Sequence, residues 1–328
     1  MKKIINDPRH VVDEMLNGLA YMHADLVQRL DGFDVIVSKE PRVGQVGLVS
    51  GGGSGHEPAH AGFVGDGMLT AAIAGAVFTS PTPDQILEAI RGADQGAGVF
   101  LIIKNYSGDI MNFEMAQELA EMEGIEVASV VVDDDIAVEN SLYTQGRRGV
   151  AGTIFVHKIL GHAARAGQSL AEIKGLADRL VGHIHTVGLA LSGATVPEVG
   201  KPGFILADDE IEFGIGIHGE PGYRKEKMQN SADLAKELSD KLLDSFPDRT
   251  HPYALLINGM GATPLMELYV FANDVAKRLE DAGITVAYKK IGNYMTSIDM
   301  AGLSLTLMEL AEDDWKDALE SPVQTIAW

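Results

Sequence analysis

Four short apolar runs in the first 135 residues predict β-strands. They read FDVIVSK (33–39), QVGLVS (45–50), GVFLIIKNY (98–106) and IEVASVVVDDD (125–135). The last two are almost continuously apolar, which is typical of strands buried on both faces of a parallel sheet. These runs therefore predict a sheet that helices cover on both sides.

Segments with helical spacing separate the strands. Residues 8–30 repeat apolar side chains at intervals of three and four, and the small residues after the glycines at 51–55 continue a helical pattern. SPTPDQILEAIRGA begins a helix with prolines, and DIMNFEMAQELAEMEG ends one at Gly124. Residues 149–185 predict two more helices, of which the second follows Ser169, a favourable N-cap residue. This alternation is typical of an α/β fold.

A second apolar series begins near residue 186. Its predicted strands are TVGLAL (186–191), FILADDEIEFGIGIHG, YALLINGM (253–260), ITVAYKKIG and LSLTLMEL, with helices near 231–246 and 263–282. The length of 328 residues also suits two domains of ~150 residues. We therefore expect two layered α/β domains with mixed, largely parallel sheets, an N-terminal one over 1–185 and a C-terminal one over 186–328.

The charge balance narrows the classes of partner. The chain has 26 Lys and Arg against 47 Asp and Glu, a net charge of −21. Nucleic acids and anionic membranes bind basic surfaces, so neither is an expected partner. Cysteine is absent, which excludes disulfides and thiol nucleophiles. The first residues do not resemble a signal peptide and no apolar run reaches the ~18 residues of a membrane span, so we expect a cytoplasmic protein.

A glycine-rich stretch, LVSGGGSGHEPAHAGF (48–63), follows the second predicted strand. A Walker A loop requires G-x-x-x-x-G-K-[ST], and a dinucleotide-binding turn requires G-x-G-x-x-G. Counted from Gly51, both patterns fail at His56, which stands where a glycine is needed. Two interpretations remain: a structural turn with glycines at positive φ, or a ligand loop at the carboxyl end of a strand, which the polar run from Ser54 to Glu57 favours.

Polar side chains also leave the end of the strand GVFLIIKNY. Lys104 and Asn105 close this strand and Asp109 follows in the next helix. Each residue has an ordinary structural explanation, since a strand-end lysine can extend its ammonium to water and a carboxylate stabilises a helix N-terminus. Together they predict a cation and a carboxylate beside the glycine loop. DDD (133–135) ends another strand, where we expect solvated carboxylates and assign no metal.

Two of the ten histidines lie among glycines. His56 is one, and the other is His218 in EFGIGIHGEPG (212–222), where it is expected to end a strand. A metal site formed by this pair remains open, but no ligand spacing supports it. Four other histidines follow helical patterns and are expected to be packing or surface residues: His157, His162, His183 and His185.

These motifs together resemble those of the dihydroxyacetone kinases. SGGGSGHEP, FTSPTPDQI, LIIKNYSGD, VVDDDIAV, YTQGRRGVAGT and GIHGEPG occur in the order seen in that family, and NGMGATPLMELY and TSIDMAGLSLTL extend the likeness to the C-terminal part. The chain is similar to the substrate-binding subunit of the type fed by the phosphoenolpyruvate phosphotransferase system. The resemblance implies two α/β domains, a homodimer and dihydroxyacetone as substrate.

The resemblance also implies roles for particular residues. His218 matches the histidine that holds dihydroxyacetone as a covalent hemiaminal, and His56 and Asp109 match the acid/base residues. The substrate contacts match Gly53, Ser54, Gly55, His56, Lys104 and Asp109. No cofactor is expected on this chain, because ADP and Mg²⁺ belong to a helical kinase subunit that a phosphotransferase-system protein rephosphorylates.

Two alternatives stay open beside the kinase subunit. A regulatory paralogue would bind dihydroxyacetone and contact a transcription factor without transferring phosphate, although the intact set His56, Asp109 and His218 favours the enzyme. A self-sufficient ATP-dependent kinase would carry a further nucleotide-binding domain, for which this sequence leaves no room after Trp328. The kinase subunit is therefore the leading hypothesis.

Overall fold

The chain folds into two units, each built on its own six-stranded sheet, in a computed structural model that describes residues 2–141 and 144–328. The first unit comprises residues up to 132, 153–181 and 321–328, and the second comprises 133–152 and 182–320. The predicted division at 185/186 stays a prediction of the sequence. Tyr143, the first residue of the YTQGRRGVAGT motif, lies outside the described residues.

The first unit is an α/β layer structure. Its elements are α1 (Val11–Met22), β1 (Val27–Arg29), β2 (Val35–Ser38), β3 (Gly47–Ser54), β4 (Ala71–Val77), α2 (Pro83–Ala93), β5 (Val99–Lys104), α3 (Ser107–Met122), β6 (Val127–Val132), α4 (Thr153–Arg165) and α5 (Leu170–Leu180). The strand order is β1-β2-β4-β3-β5-β6, and β4, β3, β5 and β6 are parallel to one another. The antiparallel strands β1 and β2 complete the sheet.

Helices cover this sheet because its central strands are apolar on both faces. α2 and α3 share a core with the strands through residues such as Ile86, Phe113 and Leu101. α4 and α5 contact β3, β5 and β6. The capping box of Ser169 and Glu172 starts α5 where the sequence predicts it. The parallel strands end together, and this edge carries Ser54 and Lys104.

The second unit has the elements β7 (Ile184–Ala190), β8 (Glu210–Phe213), β9 (Arg224–Lys227), α6 (Ser231–Asp244), β10 (Tyr253–Gly259), α7 (Leu265–Asp281), β11 (Val286–Gly292), β12 (Gly302–Glu309) and α8 (Asp313–Glu320). Its strand order is β11-β10-β12-β7-β8-β9. Helix α7 crosses between the parallel strands β10 and β11, whereas β7, β8 and β9 are connected by loops and pair antiparallel. The predicted α/β fold with mixed sheets is confirmed, and parallel pairing predominates in the first sheet. In the second sheet most of the described strands pair antiparallel, so the expectation of largely parallel pairing was wrong there.

Several predicted elements were wrong. The helix predicted over 8–30 ends at Met22, and the chain enters β1 instead. The small residues at 71–77 form β4 rather than a helix, because they fill a strand between β2 and β3. The strand predicted to reach His218 ends at Phe213, and His218 lies in a turn. Among the described residues, the structure has no helix with the length and apolar surface that a bilayer crossing needs.

Candidate functional site

Lys104 is buried at the end of β5, against the glycine loop. Its side chain is 1% exposed. Nζ donates a hydrogen bond to Gly51 O at 2.9 Å, lies 3.0 Å from His60 Nε2 and forms an ion pair of 3.7 Å with Asp109 Oδ2. Burial lowers the pKa of Lys104, and the charge of Asp109 opposes this shift. The predicted cation and carboxylate therefore do meet beside the loop.

Asp109 lies in the first turn of α3, where the helix dipole stabilises a carboxylate. It is 3% exposed. Its Oδ2 faces Lys104, while Oδ1 accepts no hydrogen bond from any residue in the described part of the chain. A buried carboxylate oxygen of this kind can accept a proton or a hydroxyl group from a bound molecule.

Gly52 allows the Lys104 ammonium to lie close against the loop, beside Asp109. It has φ +154°, and a Cβ at this position would overlap Lys104 Nζ and lie 3.4 Å from Asp109 Oδ2. A side chain here would displace the ammonium. Glycine is therefore needed at position 52 because a larger residue would collide with Lys104, and the need for a turn alone does not explain it.

The other polar groups of the glycine loop are hydrogen-bonded or packed against neighbouring residues. Ser54 Oγ donates to Gly75 O at 2.7 Å, so this hydroxyl proton fastens β3 to β4. Gly55 has φ +105° and its N–H donates to the carboxylate of Glu57 at 3.1 Å. His56 is fully buried and its ring stacks on Phe78, with ring centroids 5.3 Å apart.

Two further histidines stand behind Lys104. His60 Nδ1 lies 2.8 Å from His157 Nε2, which α4 contributes. Both side chains are buried, and burial holds the pKa of His60 well below its ordinary value and lowers that of His157 to about 3. Neutral rings are therefore the favoured forms. His157 is a packing residue as predicted, but it packs against a neighbour of the site.

In the second unit, His218 pairs with Glu220. His218 Nδ1 lies 2.8 Å from Glu220 Oε1, and the His218 backbone N–H donates to Glu220 Oε2 at 3.0 Å. A carboxylate only accepts hydrogen bonds, so Nδ1 carries the proton of this bond, and in the neutral ring this tautomer places the lone pair on Nε2. The tight turn needs Gly216, because a Cβ there would overlap Glu220 Oε2.

A buried arginine supports this carboxylate. Burial alone would raise the pKa of Glu220, but the hydrogen bond from His218 and the charge of Arg148 lower it. Arg148 is itself fully buried, and it donates to Asp135 Oδ2 at 2.8 Å and to Gly214 O at 2.6 Å. Glu220 is therefore held as an anion next to the imidazole.

The carboxylates at 133–135 were expected to be solvated, and for two of them this was wrong. Asp134 and Asp135 are 1% and 2% exposed rather than solvated. Asp134 accepts hydrogen bonds from the backbone N–H groups of Val150 and Gly152, and Asp135 pairs with Arg148. These carboxylates have structural partners, which is why they can be buried. Within the ranges 2–141 and 144–328, no group of three or more His, Asp or Glu residues is arranged to hold a metal ion.

The sequence missed four of these residues. His60 and His157 lie 97 positions apart, so no local pattern connects them. Glu220 follows His218 closely, but Glu57 follows His56 just as closely and turns to Gly55 instead. Arg148 is also far from Glu220 along the chain, so sequence spacing does not show that they are neighbours.

His185 was predicted to lie on a helix, but it lies in strand β7.

Comparisons with known proteins identify the family of the chain. The Dak1 domain family matches residues 17–327. The chain is 64% identical to the PTS-dependent dihydroxyacetone kinase, dihydroxyacetone-binding subunit DhaK of Lactococcus lactis, with 100% of this chain and 99% of the relative covered. It is 45% identical to the DhaKLM operon coactivator DhaQ of the same organism, over 99% of this chain and 100% of DhaQ.

A solved structure shows the same fold. The dihydroxyacetone kinase of C. freundii in complex with AMP-PNP and Mg²⁺ superposes with a TM-score of 0.93 at 35% identity, covering 100% of this chain and 60% of that one. A family match over most of the chain and relatives of this identity leave one assignment. The chain belongs to the Dak1 domain family, whose members include the dihydroxyacetone-binding subunits of dihydroxyacetone kinases.

Proposed function

We propose that this chain is the substrate-binding subunit of a dihydroxyacetone kinase, which binds dihydroxyacetone covalently and presents it for phosphorylation. The single observation that carries the proposal is the pair of His218 and Glu220, with 2.8 Å between Nδ1 and Oε1. It supports the tautomer with its proton on Nδ1, in which Nε2 is the nucleophilic nitrogen of the imidazole.

The covalent step is an addition to the ketone. His218 Nε2 forms a bond to the carbonyl carbon while the π-electrons of the C=O bond move to the oxygen. The oxygen takes a proton from an acid group, which gives a tetrahedral hemiaminal. The imidazole gains a positive charge, and the Glu220 carboxylate, held by Arg148, neutralises it.

Proton transfer falls to residues of the first unit. In this proposal His56 and Asp109 are the acid and base, as the resemblance implies, and Lys104 binds an oxygen of the substrate. The buried Asp109 carboxylate beside the Lys104 ammonium supports these roles, since a base for a hydroxyl group must be ionised and within reach of it. Backbone and side-chain groups of Gly53, Ser54 and Gly55 complete the contacts.

The covalent bond also explains selectivity. Glycerol has hydroxyl groups like those of dihydroxyacetone but no carbonyl group. Noncovalent contacts separate such analogues by only a few kcal/mol. An addition that requires a carbonyl carbon rejects glycerol by its chemistry.

The phosphoryl group is proposed to come from a second protein. Phosphoryl transfer requires strong neutralisation of charge, usually by metal ions and cationic groups. A chain with a net charge of −21 suits that task poorly. We propose that ADP and Mg²⁺ reside on a helical partner subunit fed from phosphoenolpyruvate, as the phrase PTS-dependent in the L. lactis relative's name suggests. A homodimer of this chain is part of the same proposal.

A second candidate function is that of a coactivator. The 45% identity to DhaQ supports it, since that relative is named as an operon coactivator. The set of His56, Asp109 and His218 favours the kinase subunit, because a sensor needs the covalent histidine but not the acid/base pair.

Reconstitution tests the proposal. The purified chain should bind dihydroxyacetone yet transfer no phosphate from ATP alone. Adding the helical nucleotide subunit, its phosphotransferase donor and phosphoenolpyruvate should produce dihydroxyacetone phosphate in a coupled assay. Binding without turnover in the full mixture would favour the coactivator. Turnover with ATP by this chain alone would overturn the two-protein reaction.

A further inference from the structure

A buried series of polar side chains runs from Asp109, through an ion pair with Lys104, to two hydrogen-bonded histidines. Lys104 Nζ lies 3.7 Å from Asp109 Oδ2 and 3.0 Å from His60 Nε2, and His60 Nδ1 lies 2.8 Å from His157 Nε2. All four side chains are buried within the first unit. Neither the resemblance nor the proposed reaction assigns His60 or His157 a role.

The donors and acceptors fix the position of each proton in this series. An ammonium has three N–H donors and no acceptor, so His60 Nε2 must accept from Lys104. The His60 proton then lies on Nδ1 and is donated to His157 Nε2. Ser50 agrees with this arrangement, because its hydroxyl donates to Ile102 O at 2.7 Å and its oxygen lies 3.4 Å from His60 Nδ1 as a weaker acceptor.

The two hydrogen bonds that Lys104 donates determine the direction of the third N–H of its ammonium. One N–H of Lys104 is used by Gly51 O and a second by His60 Nε2. The remaining N–H is left for the side of Asp109, whose Oδ2 lies 3.7 Å from Nζ, beyond the usual length of a hydrogen bond, and where Gly52 presents no side chain. A substrate oxygen placed there would receive a charge-assisted hydrogen bond.

We propose that His60 is a positioning residue, which holds the Lys104 ammonium through Nε2 so that its free N–H faces the substrate oxygen, and that His157 fixes the required tautomer of His60. The inference rests on the proposed function for the identity of the substrate. His60 acts through Lys104 and does not contact the reacting atoms.

If His60 positions the Lys104 ammonium, removing His60 should change how dihydroxyacetone binding depends on pH. Burial lowers the pKa of Lys104, and a neutral acceptor on its ammonium favours the charged form. The charged or titratable groups around the ammonium are Asp109 from α3, His56 and His60 from the loop after β3, and His157 from α4. Without the His60 acceptor, Lys104 should lose its proton, and the site its affinity, at a lower pH.

Two variants separate this role from mere packing. His60→Met keeps a side chain of similar length without a strong acceptor, whereas His60→Gln offers an amide oxygen to Lys104. Calorimetry across pH should show dihydroxyacetone binding weakened ~10-fold or more in His60→Met, with its high-pH loss displaced downward by about one pH unit. His60→Gln should keep most of the wild-type affinity for dihydroxyacetone, and its binding should be lost at the same high pH as in the wild-type chain. Equal losses in both variants with no displaced limb would overturn the proposal.

The tautomer can be read without any substrate. With ¹⁵N-labelled histidine, NMR of the ligand-free chain should show His60 protonated on Nδ1 and unprotonated on Nε2, and the His60→Gln spectrum identifies the signal. A proton on Nε2 would overturn the proposal even if His60→Met does not fold. If the wild-type chain binds no dihydroxyacetone, the proposed function fails, and this spectrum still decides the arrangement of His60.

Discussion

His218 donates its Nδ1 proton to Glu220 across 2.8 Å, and the same carboxylate accepts the backbone N–H of His218. One side chain thus fixes both the ring and the turn that carries it. The buried Arg148 helps to keep Glu220 ionised. An imidazole adds to a carbonyl carbon through its unprotonated nitrogen, so a proton held on Nδ1 directs the proposed addition to Nε2.

Glu220→Gln should weaken ketone binding by ~10-fold or more, because the hydrogen bond from Nδ1 would no longer have a charged acceptor. The amide can still fill the space and accept from Nδ1, but it cannot neutralise the charge of the adduct. Calorimetry with dihydroxyacetone measures the change. Glu226→Gln is the matched control, since Glu226 forms a partly exposed ion pair with Arg224. Unchanged affinity in Glu220→Gln would remove Glu220 from the covalent step.

Gly52→Ala should abolish most dihydroxyacetone binding, by ~10-fold or more, while the protein remains folded. The added Cβ would overlap the Lys104 ammonium and force it away from Asp109. Gly96→Ala is the control, because Gly96 also has positive φ but a Cβ there meets nothing within 4 Å. Both variants place a Cβ at positive φ, which adds backbone strain on the order of 1–3 kcal/mol. Equal affinities in the two variants would mean that the close contact between Gly52 and the Lys104 ammonium does not matter for binding.

Asp109→Asn should lower phosphoryl transfer by ~10²-fold or more in the reconstituted assay, because the substitution removes a base at nearly constant shape. Ketone binding should fall less, since Gly51 and His60 still hold Lys104. Asp84→Asn provides the control, as Asp84 occupies the first turn of α2 on the surface. Turnover at the wild-type rate by Asp109→Asn would exclude Asp109 as the base.

The buried histidine pair should make stability depend on pH. Burial lowers the pKa of His157 to about 3, from an ordinary value of 6.5, so the unfolded chain binds a proton between these values and the folded chain does not. The free energy of unfolding therefore falls as pH drops from 6.5 towards 3.

His157→Gln should reduce that slope by up to about 1.4 kcal/mol per pH unit. Urea unfolding at several pH values between about 5 and 6.5 measures it. His251→Gln removes an exposed histidine and should keep the wild-type slope. An identical slope in His157→Gln and wild type would show that His157 is not buried as a neutral ring.

The sequence predicted the strand ends of the first unit because local patterns determine them. The apolar run before Lys104 and the glycines before His56 identify two neighbouring strand ends, and parallel strands present such ends at one edge. Residues 71–77 were misassigned because alanine and glycine carry no strand signal, and only pairing with β2 and β3 makes them a strand.

The partners of the site residues could not be predicted in the same way. His157 reaches His60 from a helix 97 positions away, and the burial of Asp134 depends on backbone donors at Val150 and Gly152. Such contacts follow from tertiary packing rather than from spacing. The prediction that dihydroxyacetone is the ligand came only from the resemblance, since no pattern of charge or hydrophobicity indicates a ketone.

The central claim is a covalent bond between His218 and dihydroxyacetone, and NMR with the ketone labelled by ¹³C at its carbonyl carbon tests it most directly. The carbonyl signal of the bound ligand should be replaced by that of a tetrahedral carbon in the wild-type chain. His218→Ala should remain folded and show no such signal, and glycerol should bind far more weakly than the ketone. A bound ligand that keeps its carbonyl signal, or an adduct that persists in His218→Ala, would contradict the account.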